Sequence, residues 1–323
     1  MLSFWHVHAG DYARQATQHP DTEIVAAWDE DPARGQAQAD ELGVRFHADL
    51  DELLAGDDID GVIVDAPTNI HHQVIPAAAK AGKHIFTEKV LAPTVAEAKD
   101  IMAAVDAAGV VLTLSLPRLY DGYTQAIRKV IEGGELGQLV LARARLSHNG
   151  AVGDGWLPAH FFDAKQTLGG ALIDLGCHPM YLTSLFLGGL PESLTASYGY
   201  VTGRAVEDNA VAVLRYGNGA LGLVEAGFAT GASPFTIELH GTEGSLLYGT
   251  PEATLLVRSP AGEGWRELPV PENQPSAYSQ WVQHIQQGTK AVDNVAIGLD
   301  LTTLMDAANR SASSAAAVTI TDL

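Results

Sequence analysis

Three groups of residues have types and spacings that could do chemistry. Lys89 follows Glu88 at the end of the run "KHIFTEKV" (83–90). An ammonium at the tip of a strand can stabilise a developing alkoxide through a charge-assisted hydrogen bond. Asp174 and His178 stand four residues apart in "GGALIDLGCHPMYL" (169–182), and on a helix that spacing places both on one face. The imidazole accepts a proton near neutral pH, while a neighbouring carboxylate raises its basicity and orients a hydroxyl substrate. Pro179 either starts a new helix there or kinks an existing one. The third group is Trp5, His6 and His8 in "LSFWHVHAGDYA" (2–13). Each group also has a plain structural reading: a surface lysine, a solvated ion pair, and rings that fill a closed loop.

The elements that must position these residues can be read from periodicity. Over the first third, apolar runs alternate with helical patterns, the signature of βαβ units around a parallel sheet. "EIVAAW" (23–28) and "GVIVDAP" (61–67) read as buried parallel strands, followed by "KHIFTEK" (83–89) and "VVLTLSL" (110–116). Ligands in such folds lie outside the carboxyl ends of the strands. That places Pro67, Thr68, Asn69, His71, Glu88 and Lys89 toward a bound dinucleotide. Asp29 closes the second strand, where a carboxylate accepts from both ribose hydroxyls of an adenosine and repels the extra phosphate of NADP. NAD is therefore expected as the cofactor, and Arg34, five residues on, leaves NADP open.

Laid against G-x-G-x-x-G, the first loop puts Ser3, Trp5 and His8 at the three glycine positions. The tight turn, the close approach to pyrophosphate and the close helix packing all lose their usual residue. The helix after Ala9 still offers backbone N–H groups and a positive dipole end. His6 and His8 add N–H donors, and Trp5 can pack on an adenine or nicotinamide ring. A dinucleotide is expected to bind in a displaced pose or more weakly than with glycines.

After about residue 120 strands follow one another: "LVLARARLSH", "ESLTASYGYV", "NAVAVLRY", "ALGLVEAGFA", "PFTIELHG" and "EATLLVRS". Asn218 and Gly219 mark a hairpin, and a long packed helix is predicted near the C-terminus. The fold class is α/β: an N-terminal doubly wound Rossmann-type domain (1–119) for the dinucleotide, then a C-terminal α+β domain (120–323) with a mostly antiparallel, open-faced sheet. The uncovered face predicts a homo-oligomer, a homodimer or homotetramer. At 323 residues two domains are expected, and 46% apolar against 18% charged residues gives material for both cores. A net charge of −20 disfavours nucleic acid and anionic membrane. No transmembrane run or signal peptide is visible, so a cytoplasmic location is expected. One cysteine, Cys177, excludes an internal disulfide and a cysteine-based zinc site.

In their order and spacing, "AAWDEDPARGQAQADELGV", "APTNIHH", "AGKHIFTEKV", "GGELGQL", "GGALIDLGCH", "EDNAVAVLRYGNGALG" and "HGTEGSL" resemble the Gfo/Idh/MocA family of NAD(P)-dependent oxidoreductases acting on sugars and cyclitols. The resemblance implies that Lys89 is the lysine of the EKP motif, beside the nicotinamide and the reacting carbon. It implies that Asp174 and His178 are the aspartate and histidine of the DxGxH motif, with the histidine as general base and Cys177 a buried spacer. Two positions depart from the family. Val90 replaces the proline of EKP, which often follows a cis peptide bond, and Tyr181 replaces an acidic residue three positions after the histidine.

The expected activity is an NAD-dependent dehydrogenase for a secondary hydroxyl of a sugar, polyol or cyclitol, with catalysis by Lys89, His178 and Asp174. In the loop 147–166, Trp156 would stack on a sugar face and His160 bond its hydroxyls. The main alternative is a non-catalytic sugar- or nucleotide-binding protein with an impaired loop. A lyase or hydrolase using NAD transiently is another. No metal site is expected, since only His6 and His8 form a suitable histidine pair and they are assigned to the cofactor loop.

Overall fold

The computed structural model describes residues 1–232, 235–249 and 252–323. These form two compact units, one of residues 1–116 and 275–299, the other of 117–274 and 300–323.

The first unit is a parallel α/β layer structure. β1 (Ala26–Ala27) pairs with β2 (Arg45–Phe46), and β3 (Gly61–Val64), β4 (His84–Thr87) and β5 (Leu112–Leu114) form a second parallel set. Leu2 joins the two sets by bridges to Trp28 and Val64. The helices are α1 (Ala9–Gln18), α2 (Pro32–Leu42), α3 (Leu50–Leu54), α4 (His71–Lys80) and α5 (Val95–Ala108). Local chemistry sets their ends: the Asp31 carboxylate accepts from Ala33 N and Arg34 N before Pro32, and Thr94 and Glu97 form a reciprocal cap on α5. Ile85 and Phe86 of β4 are fully buried.

The second unit begins with α6 (Gly122–Glu132) and β6 (Leu139–Ser147). A short α7 (Ala164–Thr167), a π turn at Leu172–Gly176 and α8 (Cys177–Leu187) follow. Then come β7 (Ser193–Gly199), β8 (Asn209–Arg215), β9 (Leu221–Gly227), β10 (Thr236–Gly241), β11 (Ser245–Tyr248), β12 (Leu255–Arg258) and β13 (Arg266–Leu268). Pro234, expected at the start of β10, lies outside the described residues. α9 (Ala277–Gln287) belongs to the first unit; α10 (Val292–Ser314) runs through the division, and β14 (Val318–Thr319) ends the strands.

The nine-stranded sheet has the order β13-β12-β11-β10-β6-β9-β8-β7-β14, antiparallel except for the β6–β9 pair. Asn218 and Gly219 do make the β8–β9 turn, with Gly219 at φ 88°. α8 packs on β6 and β9, and the C-terminal part of α10 is bonded to β7 through Ser311 and Asn309. The opposite sheet face carries Arg143 bonded to Glu225 at 2.7 Å, with Val211 and Leu221 each 42% exposed.

The division expected at 119/120 needs correction at residues 275–299, which fold with the first unit. Tyr278 and Trp281 of α9 pack their rings against Phe86 at 5.5 and 6.0 Å. Burying an aromatic side chain of this size stabilises by roughly 2 to 3 kcal/mol, which explains why α9 returns to the parallel sheet. Asn294 adds a polar tie: its side chain donates to Leu114 O at 3.0 Å and accepts from Leu114 N at 2.8 Å. Among the described residues no helix is long and apolar enough to cross a membrane.

Candidate active site

In the first unit, the tips of β3 and β4 and the loop before α1 meet. Ser3 takes the left-handed conformation (φ 74°) that the first glycine of a dinucleotide loop would supply, and its hydroxyl accepts from Trp5 N at 3.1 Å. His8 begins α1 without a side-chain cap. The rings of His6 and His8 lie 4.5 Å apart, and His8 Nδ1 is 2.6 Å from Glu88 Oε1. The Tyr12 hydroxyl donates to the same oxygen, and Glu88 Oε2 accepts from Lys89 N at 2.7 Å. Burial alone would raise the Glu88 pKa, yet His6, His8 and Lys89 hold its carboxyl well below the usual range. The Lys89–Val90 peptide is cis, with valine where the family motif has proline.

Beside this cluster, burial followed by the charge of Glu88 pushes the Asp65 carboxyl well above its ordinary value, and neither of its oxygens has a hydrogen-bond partner among the described residues. Asn69 Oδ1, in the turn after β3, is likewise buried without a partner among the described residues. An orphaned acceptor at the carboxyl edge of a parallel sheet suits a ligand that brings its own N–H or O–H donors. With the Ser3 turn and the uncapped start of α1, this region fits a dinucleotide. Thr68 is half-buried and Pro67 buried beside Asn69.

Three expected cofactor contacts are placed differently. Asp29 is buried, and its two oxygens already accept from Phe4 N, Asp31 N, and Arg34 Nε and Nη2 at 2.6 to 2.9 Å. That occupies the lone-pair sites of a carboxylate, so Asp29 is not open to ribose; Arg34 and Glu30 form the accessible edge. His71 is wholly buried, its ring nitrogens 3.1 Å from Leu91 O and 3.0 Å from Ala66 O, and it braces the loops rather than facing a ligand. Trp5 is 5% exposed, too covered to present its face for stacking.

In the second unit the motif "GGALIDLGCHPMYL" forms the π turn and the start of α8, with Pro179 in the first turn of α8, so it starts a helix. Asp174 lies in the π turn and His178 just after it, so their four-residue interval crosses a widened helical ladder; such π segments recur at functional sites. His178 Nδ1 is 3.3 Å from the Tyr181 hydroxyl, whose oxygen accepts from Arg118 N at 3.1 Å. The phenol thus stands where the family has an acid, and burial keeps it protonated far above its ordinary range. Cys177 is buried and donates to Asp174 O. Trp156 is 58% exposed, and His160 sits in the helical turn Ala159–Phe162 against Phe161.

Two contributors escaped the sequence reading. Glu207, buried beneath the π turn, accepts from Leu172 N at 3.0 Å, and its carbonyl accepts from Ala171 N. A Cβ on Gly170 would collide with the main chain of Glu207, which explains the glycine at this position. The signal was present as the "EDN" at 207–209. His148, at the end of β6, stacks on Phe228 at 5.0 Å and tilts against Trp156 at 4.6 Å. Burial lowers its pKa while the nearby Asp174 charge opposes this. Its place at a strand end was the available signal.

The parallel unit with its ligand-ready strand tips, followed by a sheet unit bearing a histidine turn, defines a two-domain dinucleotide-dependent oxidoreductase. Residues 7–116 match the oxidoreductase family with an NAD-binding Rossmann fold, and 124–247 match the GFO/IDH/MocA C-terminal domain. The chain is 30% identical over 260 residues to 1,5-anhydro-D-fructose reductase of Ensifer adhaerens, covering 77% of this chain and 75% of that one. It is 31% identical over 245 residues to scyllo-inositol 2-dehydrogenase (NAD(+)) of Bacillus subtilis (strain 168), covering 72% and 68%. A solved levoglucosan dehydrogenase in complex with NADH and levoglucosan shares the fold with a TM-score of 0.83 and 22% identity over 99% of this chain and 98% of that one. The chain belongs to the GFO/IDH/MocA family of oxidoreductases, an NAD(P)-dependent dehydrogenase acting on CH–OH groups with NAD as cofactor.

Proposed function

We propose that the protein oxidises a secondary hydroxyl of a sugar, polyol or cyclitol, or runs the reverse reduction. The observation that carries this reading is Lys89 at the tip of β4 within a matched NAD-binding unit, in a chain that retains Asp174 and His178. Relatives named for an anhydro sugar and an inositol support the substrate class.

Bound NAD supplies the hydride acceptor. The chain's own residues handle the proton and charge. His178 removes the hydroxyl proton through Nε2, its Nδ1–H being held by the Tyr181 oxygen. The Lys89 ammonium stabilises the alkoxide as it develops, and Asp174 anchors the substrate. Trp156 stacks on the sugar face beside His148, and His160 bonds its hydroxyls. For the cofactor, Asn69 Oδ1, the start of α1, and His6 and His8 offer polar contacts; Arg34 at the Asp29 edge keeps NADP a second candidate. A second copy of the chain covers the open sheet face, making a homodimer or homotetramer.

The test is a screen of inositols, aldoses and glycosides with NAD and with NADP, run beside Lys89→Ala. Turnover that collapses in the variant while NADH binding persists supports the mechanism, and equal turnover overturns it. The non-catalytic alternative requires that no substrate be turned over by protein that binds NADH.

A further inference from the structure

We infer that His6, His8 and Glu88 bind one divalent transition-metal ion of the zinc type. Glu88 Oε1 lies 3.6 Å from His6 Nδ1 and 2.6 Å from His8 Nδ1, and one donor atom from each residue falls within a common 4.8 Å. His6 Nδ1 accepts the main-chain N–H of His8 at 3.3 Å. That nitrogen has one lone pair, so a metal ion taken up there replaces this long main-chain bond, with Glu88 Oε1 3.6 Å away as the next ligand.

The donor chemistry selects the ion. Two imidazoles with one carboxylate are a known zinc set, and three protein ligands leave a position for water or an oxygen of a bound small molecule. Metal–ligand bonds of about 2.0 to 2.2 Å at tetrahedral angles put ligand atoms about 3.3 Å apart. The His6–Glu88 pair is close to that separation, and the His8–Glu88 pair opens by less than about 1 Å when its shared proton is exchanged for metal.

The surroundings are those of a built site. Glu88 and His6 are buried, whereas the His8 side chain is 37% exposed and gives the ion a way in. The Tyr12 hydroxyl bonds both Glu88 and Ser115 Oγ, fixing the carboxylate from behind as outer partners of metal ligands do. Asp65 adds a second buried carboxyl that has no partner among the described residues, and a divalent charge here compensates the Glu88 anion. Coordination through Nδ1 leaves the Nε2–H groups as donors, so metal and dinucleotide are not mutually exclusive. The inference stands on the loop's own geometry and not on the dehydrogenase reading.

The experiment uses tag-free, chelator-stripped full chain dialysed against Zn²⁺ or Co²⁺, followed by metal analysis and visible absorption of the cobalt form. One equivalent per chain is expected, with the intense d–d bands of low-coordinate cobalt. His8→Ala and Glu88→Gln should each weaken binding more than about 10-fold, while His19→Ala, outside the cluster, should not. His8→Gln, at a half-exposed position, guards against misfolding as the cause. Absence of stoichiometric metal, or wild-type binding by His8→Ala, overturns the site. NADH fluorescence titration of the same samples reports separately on the cofactor, so failure of one reading is distinguishable from failure of the other.

Discussion

The two histidine-bearing turns are built on opposite plans. In the second unit the chain uses glycine: Gly170 lets the backbone touch Glu207, and Gly176 lets the π turn approach Ala226, whose Cβ would lie 2.8 Å from an added one. The buried Glu207 carboxyl there is satisfied by main-chain donors. In the first unit glycines are absent from the loop, and side chains do the shaping, with Ser3 forced into a left-handed turn and Glu88 gathering His6, His8 and Tyr12. A turn shaped by backbone fit tolerates no added bulk. One shaped by charge tolerates bulk and depends on its ionic partners.

Substitutions separate the two plans. The largest effect falls on chemistry: His178→Ala is expected to lower kcat about 10² to 10⁴-fold with NADH affinity kept. Steady-state kinetics and NADH titration check this, and a matching loss of NADH affinity would mean the turn is only scaffolding. Next, Gly170→Ala should destabilise by about 1 to 3 kcal/mol, since its Cβ meets main chain rather than a side chain that can move. Denaturant unfolding that shows no change would sink the backbone-fit account.

A smaller effect concerns pH. Burial raises the Glu207 carboxyl above its ordinary 4.5, opposed by hydrogen bonds from Leu172 N and Gly170 N. A raised folded value means its contribution is fully present below pH 4.5 and declines as pH rises through the folded value. Glu207→Gln keeps an acceptor for Leu172 N and removes that decline, so its stability relative to wild type should improve from pH 4 toward pH 7. Melting temperatures moving the other way would reverse the sign. The smallest effect is at Ser3: Ser3→Gly should be more stable than Ser3→Ala by about 1 kcal/mol, because only glycine relieves the positive φ. Equal unfolding midpoints would contradict this.

The layer order of both units was legible from periodicity, because buried parallel strands and alternating antiparallel strands leave different patterns. Lys89, Asp174 and His178 were legible as motif residues. Asp29 and His71 misled, since a sequence reveals a side chain's chemistry but not that Arg34 or two carbonyls already occupy it. The placement of α9 was hidden for a similar reason: Tyr278 and Trp281 read as an ordinary amphipathic face, and nothing local says which core receives it. The meeting of His6, His8 and Glu88 requires contacts across some eighty positions, which only the register of β4 beside the loop reveals.

The Asn294 amide holds both the N–H and the carbonyl of Leu114, as a neighbouring strand would. At this residue it acts as a one-residue mimic of a sixth strand. The margin of the parallel layer is thereby closed to main-chain docking at that point, and an intruding peptide would have to displace an internal amide before it could extend the sheet.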